Sequence, residues 1–281
     1  MKSKVKPNDS KLLSKIIIYA ILIIGVIVSL FPFYLMFVSS THTSGEVLAF
    51  PPKLYITGNL LANFKVLNAD IGIGKVFYNS FFISVSYTVI TIILDSMAGY
   101  ALAKFNFKGK KFIFTMILLT IMIPNQVLLI PLFKLMSYIH WVNSYQAVII
   151  PSLANAFGIF LMRQNMLGFP NSLIESGRID GLGEYSIFFR IVMPTMKPAM
   201  AALGIYMFMT QWNNFMWPLI ILRTPEMFTF PLALAGLNGM SRINYGEIML
   251  GTTLSTLPIM IIFLFLQKEF VSGILNGAVK G

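Results

Sequence analysis

From Ile16 to Val38 the chain passes through 23 residues without one charged side chain. A helix needs roughly 20 mostly apolar residues to cross the ~30 Å hydrocarbon core of a bilayer. Lipid offers the backbone no hydrogen bonds, so a chain built of such runs is confined to helices or a closed barrel. Five more long apolar runs follow, Val76 to Ala103, Phe112 to Met136, Tyr145 to Leu167, Ala199 to Leu222 and Ile248 to Leu266. Each of them is long enough to span as a helix. The expected fold is an all-α integral membrane protein with six transmembrane helices. Composition agrees: charged residues make up 11% of the chain, against about 25% in soluble domains.

The first run has a basic stretch ahead of it, is too long for a signal-peptide core, and lacks a small-residue cleavage site. It reads as a retained span behind a short cytosolic N-terminus, residues 1–15. Residues 16–281 read as a single transmembrane domain. Pro32 falls inside the first run as a kink that a membrane helix tolerates, Pro124 and Pro131 interrupt the third around Asn125-Gln126, and Pro151 and Pro218 lie in the fourth and fifth. Ser39 to Lys75, with Pro51-Pro52, reads as an external loop with a short helix near Leu60 to Leu67.

The formal charge of +11 is a topology signal. Six spans put the N-terminus, the second and fourth loops and the tail on one side, with 15 of the 21 Lys and Arg residues. The richer side is the cytosolic one. Nucleic-acid binding would need bases clustered with exposed aromatics, and these are spread over four short segments. There are no cysteines, which excludes disulfides, thiol catalysis and thiolate metal sites. His42 and His140 stand far apart with no metal-ligand spacing, and no GxxxxGK[ST] phosphate loop occurs.

One segment departs from this apolar character. Pro170 to Pro198, PNSLIESGRIDGLGEYSIFFRIVMPTMKP, carries three acids and three bases between the fourth and fifth runs. Ser172 to Glu175 fits a capping box, and Asp180-Gly181 reads as a helix stop. A second helix is expected from Glu184 to Val192, with Phe188, Ile191 and Val192 on one face. Pro194 and Pro198 then restart the chain into the fifth span. A cytosolic helix–bend–helix at the membrane surface follows. On physics alone it is either a contact surface or a simple connector.

The pattern E-S-G-x-x-D-G-x(6)-F-x-x-I-x-M-P-x-x-x-P resembles the EAA loop of ATP-binding-cassette importer permeases. Glu175, Asp180, Gly181, Phe188, Ile191, Pro194 and Pro198 match it position by position. Ser176 and Gly177 replace two alanines and stay small, while Leu182 stands where a third alanine is frequent. Asn79-Ser80, Ala98 to Ala103, Met122-Ile123-Pro124 with Ile130-Pro131, Trp212-Asn213-x-Phe215-x-Trp217-Pro218 and the ending Phe270 to Gly281 are similar to the carbohydrate branch, in the maltose-permease-like subunit.

That resemblance implies half of a translocation pathway for sugars or oligosaccharides in a bacterial inner membrane. The implied partners are a second permease subunit, two copies of a cytosolic ATPase that bind ATP and Mg, and an external solute-binding protein. This chain would hold no cofactor and catalyse no reaction. Glu175, Ser176, Gly177, Arg178, Asp180 and Gly181 would form the coupling helix seated on the ATPase, with Gly181 allowing close backbone approach. Asn276, Gly277 and Lys280 would be a second ATPase contact.

Within the spans, Asp95 is the one acid well inside a run. It either lines the pathway, pairs with a polar group on a neighbouring helix, or sits near the cytosolic end beside Lys104. Asn125, Gln126, Asn155, Gln211, Asn213 and Asn214 are candidates for sugar hydroxyls, and Trp212 and Trp217 for stacking on a sugar ring. The competing reading is that such groups hold helices together or mark the membrane interface. A secondary transporter would be expected to show paired halves with matching broken helices; no internal duplication is evident. A permease for another solute is the remaining alternative.

Overall fold

The computed structural model describes residues 9–239 and 242–278, with side chains described from Leu13 to Lys268 apart from 240 and 241. Among the described residues every regular element is helical. In chain order these are α1 (Asp9–Ser39), α2 (Ser44–Val47), α3 (Leu60–Ile71), α4 (Ile73–Lys104), α5 (Lys110–Thr120), α6 (Asn125–Tyr138), α7 (Tyr145–Ile149) and α8 (Ala156–Leu167). They continue with α9 (Asn171–Ile179), α10 (Glu184–Ile187), α11 (Met193–Thr195), α12 (Lys197–Trp212), α13 (Met216–Ile221), α14 (Phe230–Leu237) and α15 (Tyr245–Ala278).

Among the described residues, three helices by themselves are long and apolar enough to cross a membrane: Leu13–Ser39, Ile73–Lys104 and Tyr245–Lys268. Three bent pairs pass the same test jointly, α5 with α6 at 98°, α7 and its following turn with α8 at 46°, and α10–α11 with α12 at 83°. By length and composition the spans among the described residues then number up to six, the third pair joining α12 to the second arm of the charged segment. The interruption expected at Pro124 is a break, and a second break precedes α8, each for a local reason. Pro124 sits in extended backbone (φ −61°, ψ 129°) just ahead of α6, where a proline ring has no preceding helical carbonyl to strike. Asn155 sits extended ahead of α8 and caps it, its Oδ1 accepting from Phe157 N (3.0 Å) and Gly158 N (3.1 Å). The fifth run breaks between α12 and α13, at Asn213 to Phe215. Pro32, by contrast, lies within an unbroken α1.

Contacts divide the chain into two compact units, Met1–Asp70 with Met240–Leu254, and Ile71–Gly239 with Ser255–Gly281. In the first, the spanning window of α1 is 0% buried, so its apolar stripe faces all round. The loop after it is tied by side chains: Asn63 Nδ2 donates to Ser40 O (2.8 Å) and His42 O (2.9 Å), and Gly246 lies against that same pair. Glu46 accepts from Thr43 N (3.1 Å) and Oγ1 (3.0 Å) and pairs with Lys53 at 2.7 Å. Those bonds hold the Glu46 carboxyl down at about 2.

In the second unit, α4 packs against α8 and α12. One face of α4 is a row of small and polar residues, Ser80, Ser84, Thr91, Asp95 and Gly99, all buried. In lipid, helices gain nothing from hiding apolar surface from each other, so small residues that admit close approach mark their contacts. Gly99 is such a point, because a Cβ there would stand 2.8 Å from Arg163 N and 2.9 Å from Met162 Cβ.

Candidate functional site

The charged segment folds as a helical hairpin, and its first helix starts earlier than the sequence pattern predicts. Pro170 occupies the cap position in extended backbone and α9 begins at Asn171. Proline lacks an N–H and carries a fixed φ, so it costs a helix start nothing. Ser172 is therefore already in the first turn, and the capping box with Glu175 does not form. Ser172 O instead accepts from Ser176 Oγ (2.9 Å). Glu175 is thereby not held by a cap; it lies exposed on α9.

The stop at Asp180-Gly181 is as expected. Gly181 has φ +79°, its N–H reaches Arg178 O (3.0 Å), and Leu182 N reaches Gly177 O (2.9 Å). These two bonds are the Schellman closure of a helix end. A Cβ on Gly181 would meet nothing within 4 Å, so within this chain the glycine is required by its dihedral alone. The glycine of close approach is Gly177: a Cβ there would stand 2.8 Å from Ile191 Cδ1 and 3.2 Å from Ile187 Cγ1. The second arm follows as α10, a π-helical turn over Phe188–Val192, and α11. Phe188 and Val192 are buried and Ile191 half-buried. Pro194 has no N–H to offer the ladder, and such π turns are often found at functional sites.

Two faces result. Ile174, Gly177, Ile187 and Phe188 are buried beneath, and each large apolar side chain so buried at a water-facing surface stabilises by about 1.5–3 kcal/mol. The other face presents Glu175, Ser176, Arg178 and Asp180 with Ile179 (86% exposed) and Tyr185 (73% exposed). Arg178 spans the bend to Glu184 at 2.7 Å, and that carboxylate raises the Arg178 guanidinium above its usual range.

Sequence reasoning missed what holds this hairpin to the spans. Lys104, the last residue of α4, donates to Phe169 O (2.6 Å) and to Asn171 Oδ1 (2.9 Å). Tyr100, one turn earlier, donates to Glu184 Oε2 (3.4 Å), and its ring lies 5.4 Å from that of Phe188. Arg163 Nε donates to Leu102 O (3.3 Å) while its guanidinium lies 4.1 Å over the Phe114 ring. A basic residue closing a span next to an aromatic was the available signal.

Several of the candidate polar residues, though not Asp95, stand at or beside the breaks. Asp95 is fully buried and distant from Lys104, about 13 Å along the helix at 1.5 Å per residue. Its Oδ1 accepts from Asn155 N (3.2 Å); its Oδ2 has no partner and presses on Gly158, where a Cβ would collide with it. Asp95 thus pairs with a neighbouring helix rather than with its own basic end. Asn125 and Gln126 are exposed at the start of α6. Asn213 is exposed, its Nδ2 donating to Met209 O (2.9 Å), and Asn214 is half-buried. Gln211 is buried. Trp212 is 1% exposed, its indole donating to Ser255 O (3.0 Å) with Phe77, Phe208 and Phe230 around it. Trp217 donates to Ala147 O (2.8 Å). In this conformation both tryptophans join helices and neither ring face is open. No group of three His, Cys, Asp or Glu placed to hold a metal occurs among the described residues. The backbone of α15 includes Asn276 and Gly277, but the Asn276 side chain and Lys280 as a whole lie outside the described residues.

Comparison with known families places this architecture. Residues 95–275 match the model of the binding-protein-dependent transport system inner membrane component. The chain belongs to this family. It is an ABC-transporter permease, a multi-pass membrane protein and not an enzyme. The permease is 41% identical over 255 residues to the arabinooligosaccharides transport system permease protein AraQ of Bacillus subtilis (strain 168), covering 90% of this chain and 91% of that one. It is 37% identical over 268 residues to the lactose transport system permease protein LacG of Rhizobium radiobacter, covering 95% and 97%. The sn-glycerol-3-phosphate transport system permease protein UgpE of Salmonella typhi is 32% identical over 269 residues, covering 92% and 95%. Among solved structures, a chain of a bacterial ABC transporter involved in the import of the acidic polysaccharide alginate superposes with a TM-score of 0.80. At 21% identity, over 95% of this chain and all of that one, it shares the fold.

Proposed function

We propose that this permease forms half of the pathway of an importer for sugars or oligosaccharides, with a second, non-identical permease as the other half. The observation that carries the cargo class is the similarity to an arabinooligosaccharide permease and a lactose permease at 41% and 37% identity over nine-tenths of the chain. Six spans leave both termini and the Pro170–Pro198 hairpin in the cytosol, the side rich in Lys and Arg. There the exposed face of α9, with Glu175, Ser176, Arg178, Ile179 and Asp180, seats in a separate ATPase that binds ATP and Mg, two copies per importer. Gly177 and Gly181 shape that face from within. The tail through Asn276, Gly277 and Lys280 makes a second contact with it, and an external solute-binding protein delivers the cargo. Asn125, Gln126, Asn155, Asn213 and Asn214 stand at breaks in the spans, where exposed backbone and amides serve a polar solute.

The test is uptake by cells expressing the whole transporter, comparing radiolabelled arabinooligosaccharide, lactose and sn-glycerol-3-phosphate. ATP-dependent import of one of the sugars is expected. The similarity to the glycerol-phosphate permease supports a second reading, and import of that anion alone would replace the first.

A further inference from the structure

The hairpin and the break at Asn155 are joined by one unbroken helix. Lys104 and Tyr100 hold the hairpin at the end of α4, through Phe169 O, Asn171 and Glu184. Further along, Gly99 lets α4 lie against Met162 and Arg163 of α8. Asp95 then grips the start of α8, accepting from Asn155 N and lying on Gly158. These contacts span nine residue steps of one helix, about 13 Å. A continuous α-helix over that distance is stiff, whereas the covalent links from the hairpin run through the bend at Met196 and the Gly168-Phe169-Pro170 turn.

We propose that α4 is the transmission element of this permease. A displacement of the hairpin passes through the positioning residues Lys104 and Tyr100 into α4, and through Gly99 and Asp95 to the break at Asn155. The chain's own links to the hairpin carry less of it. This rests on the reading of the hairpin as the ATPase contact.

The experiment uses the complete purified transporter in lipid vesicles, with two rates measured on one sample: ATP hydrolysis, and import of whichever of the three solutes above the cells take up. Lys104→Met is expected to keep the ATPase bound on co-purification and hydrolysis within about twofold. Solute imported per ATP falls at least fivefold. Lys104→Arg, which keeps both donations, retains more than half of the wild-type ratio. If Lys104→Met is not inserted, Tyr100→Phe combined with Asn171→Ala removes the partners from the milder side and is expected to lower the ratio in the same way. An unchanged ratio in whichever of these variants assembles overturns the proposal, and so does release of the ATPase by Lys104→Met. Ile179→Asp, on the outer face and away from α4, separates the two readings. It should release the ATPase while leaving the permease inserted; retention with normal import overturns the coupling reading, and this proposal with it.

Discussion

Gly181 and Gly177 stand four residues apart and are glycines for different reasons. At Gly181 the space is open but φ is +79°, a conformation that costs an ordinary L-residue about 1–2 kcal/mol. At Gly177 the conformation is helical and the space is filled by Ile187 and Ile191. Gly181→Val is therefore expected to lower stability by about 1–2 kcal/mol and Gly181→Asn by less, since Asn tolerates the left-handed region. Thermal unfolding of the detergent-solubilised permease measures both. The glycine stop was legible because a single residue type answers a single dihedral. The capping box at Ser172 was not, because Ser-x-x-Glu is silent about a preceding proline that starts the helix itself. The same three-residue spacing at Thr43 and Glu46 does hold its internal bonds.

At the scale of elements, the long apolar runs were readable since length and missing charge both bear on one property, residence in lipid. Where those runs break was only half readable. Prolines marked candidate positions, yet Pro32 leaves α1 intact whereas Pro124 and Asn155 precede new helices. Local sequence does not say whether neighbouring groups will satisfy the freed backbone. At Asn155 the group that does so is Asp95, sixty residues away, and only the fold brings it there. The loop after α1 gives a pH prediction. The Glu46 carboxyl in the fold lies at about 2, below its unfolded value of 4.5, so its pairing is fully present above 4.5 and is lost as pH falls toward 2. The raised Lys53 ammonium adds a loss only on the strongly alkaline side. A spin label on Leu48→Cys, in a chain free of other cysteines, should keep constant mobility from pH 5 to 8 and loosen progressively below 4.

For the whole molecule, orientation is the property on which every functional assignment hangs. Phe50 is 95% exposed in the first loop, and Ile179 is 86% exposed on α9. The six-span arrangement proposed above requires them to lie on opposite sides of the membrane. A membrane-impermeant maleimide is expected to label Phe50→Cys in intact spheroplasts, and Ile179→Cys only after permeabilisation. Labelling of both from outside contradicts the six-span arrangement.

The contact of Asp95 with Gly158 also bears on how such a chain drifts over time. Neither position is free to change first: a methyl at 158 meets the carboxylate, and an apolar residue at 95 strands the Asn155 N–H that opens α8. Related permeases should therefore change the two together, a bulkier residue at the 158 position accompanying a shorter one at 95. An alignment in which the two positions vary independently would mean that the clasp is peculiar to this lineage.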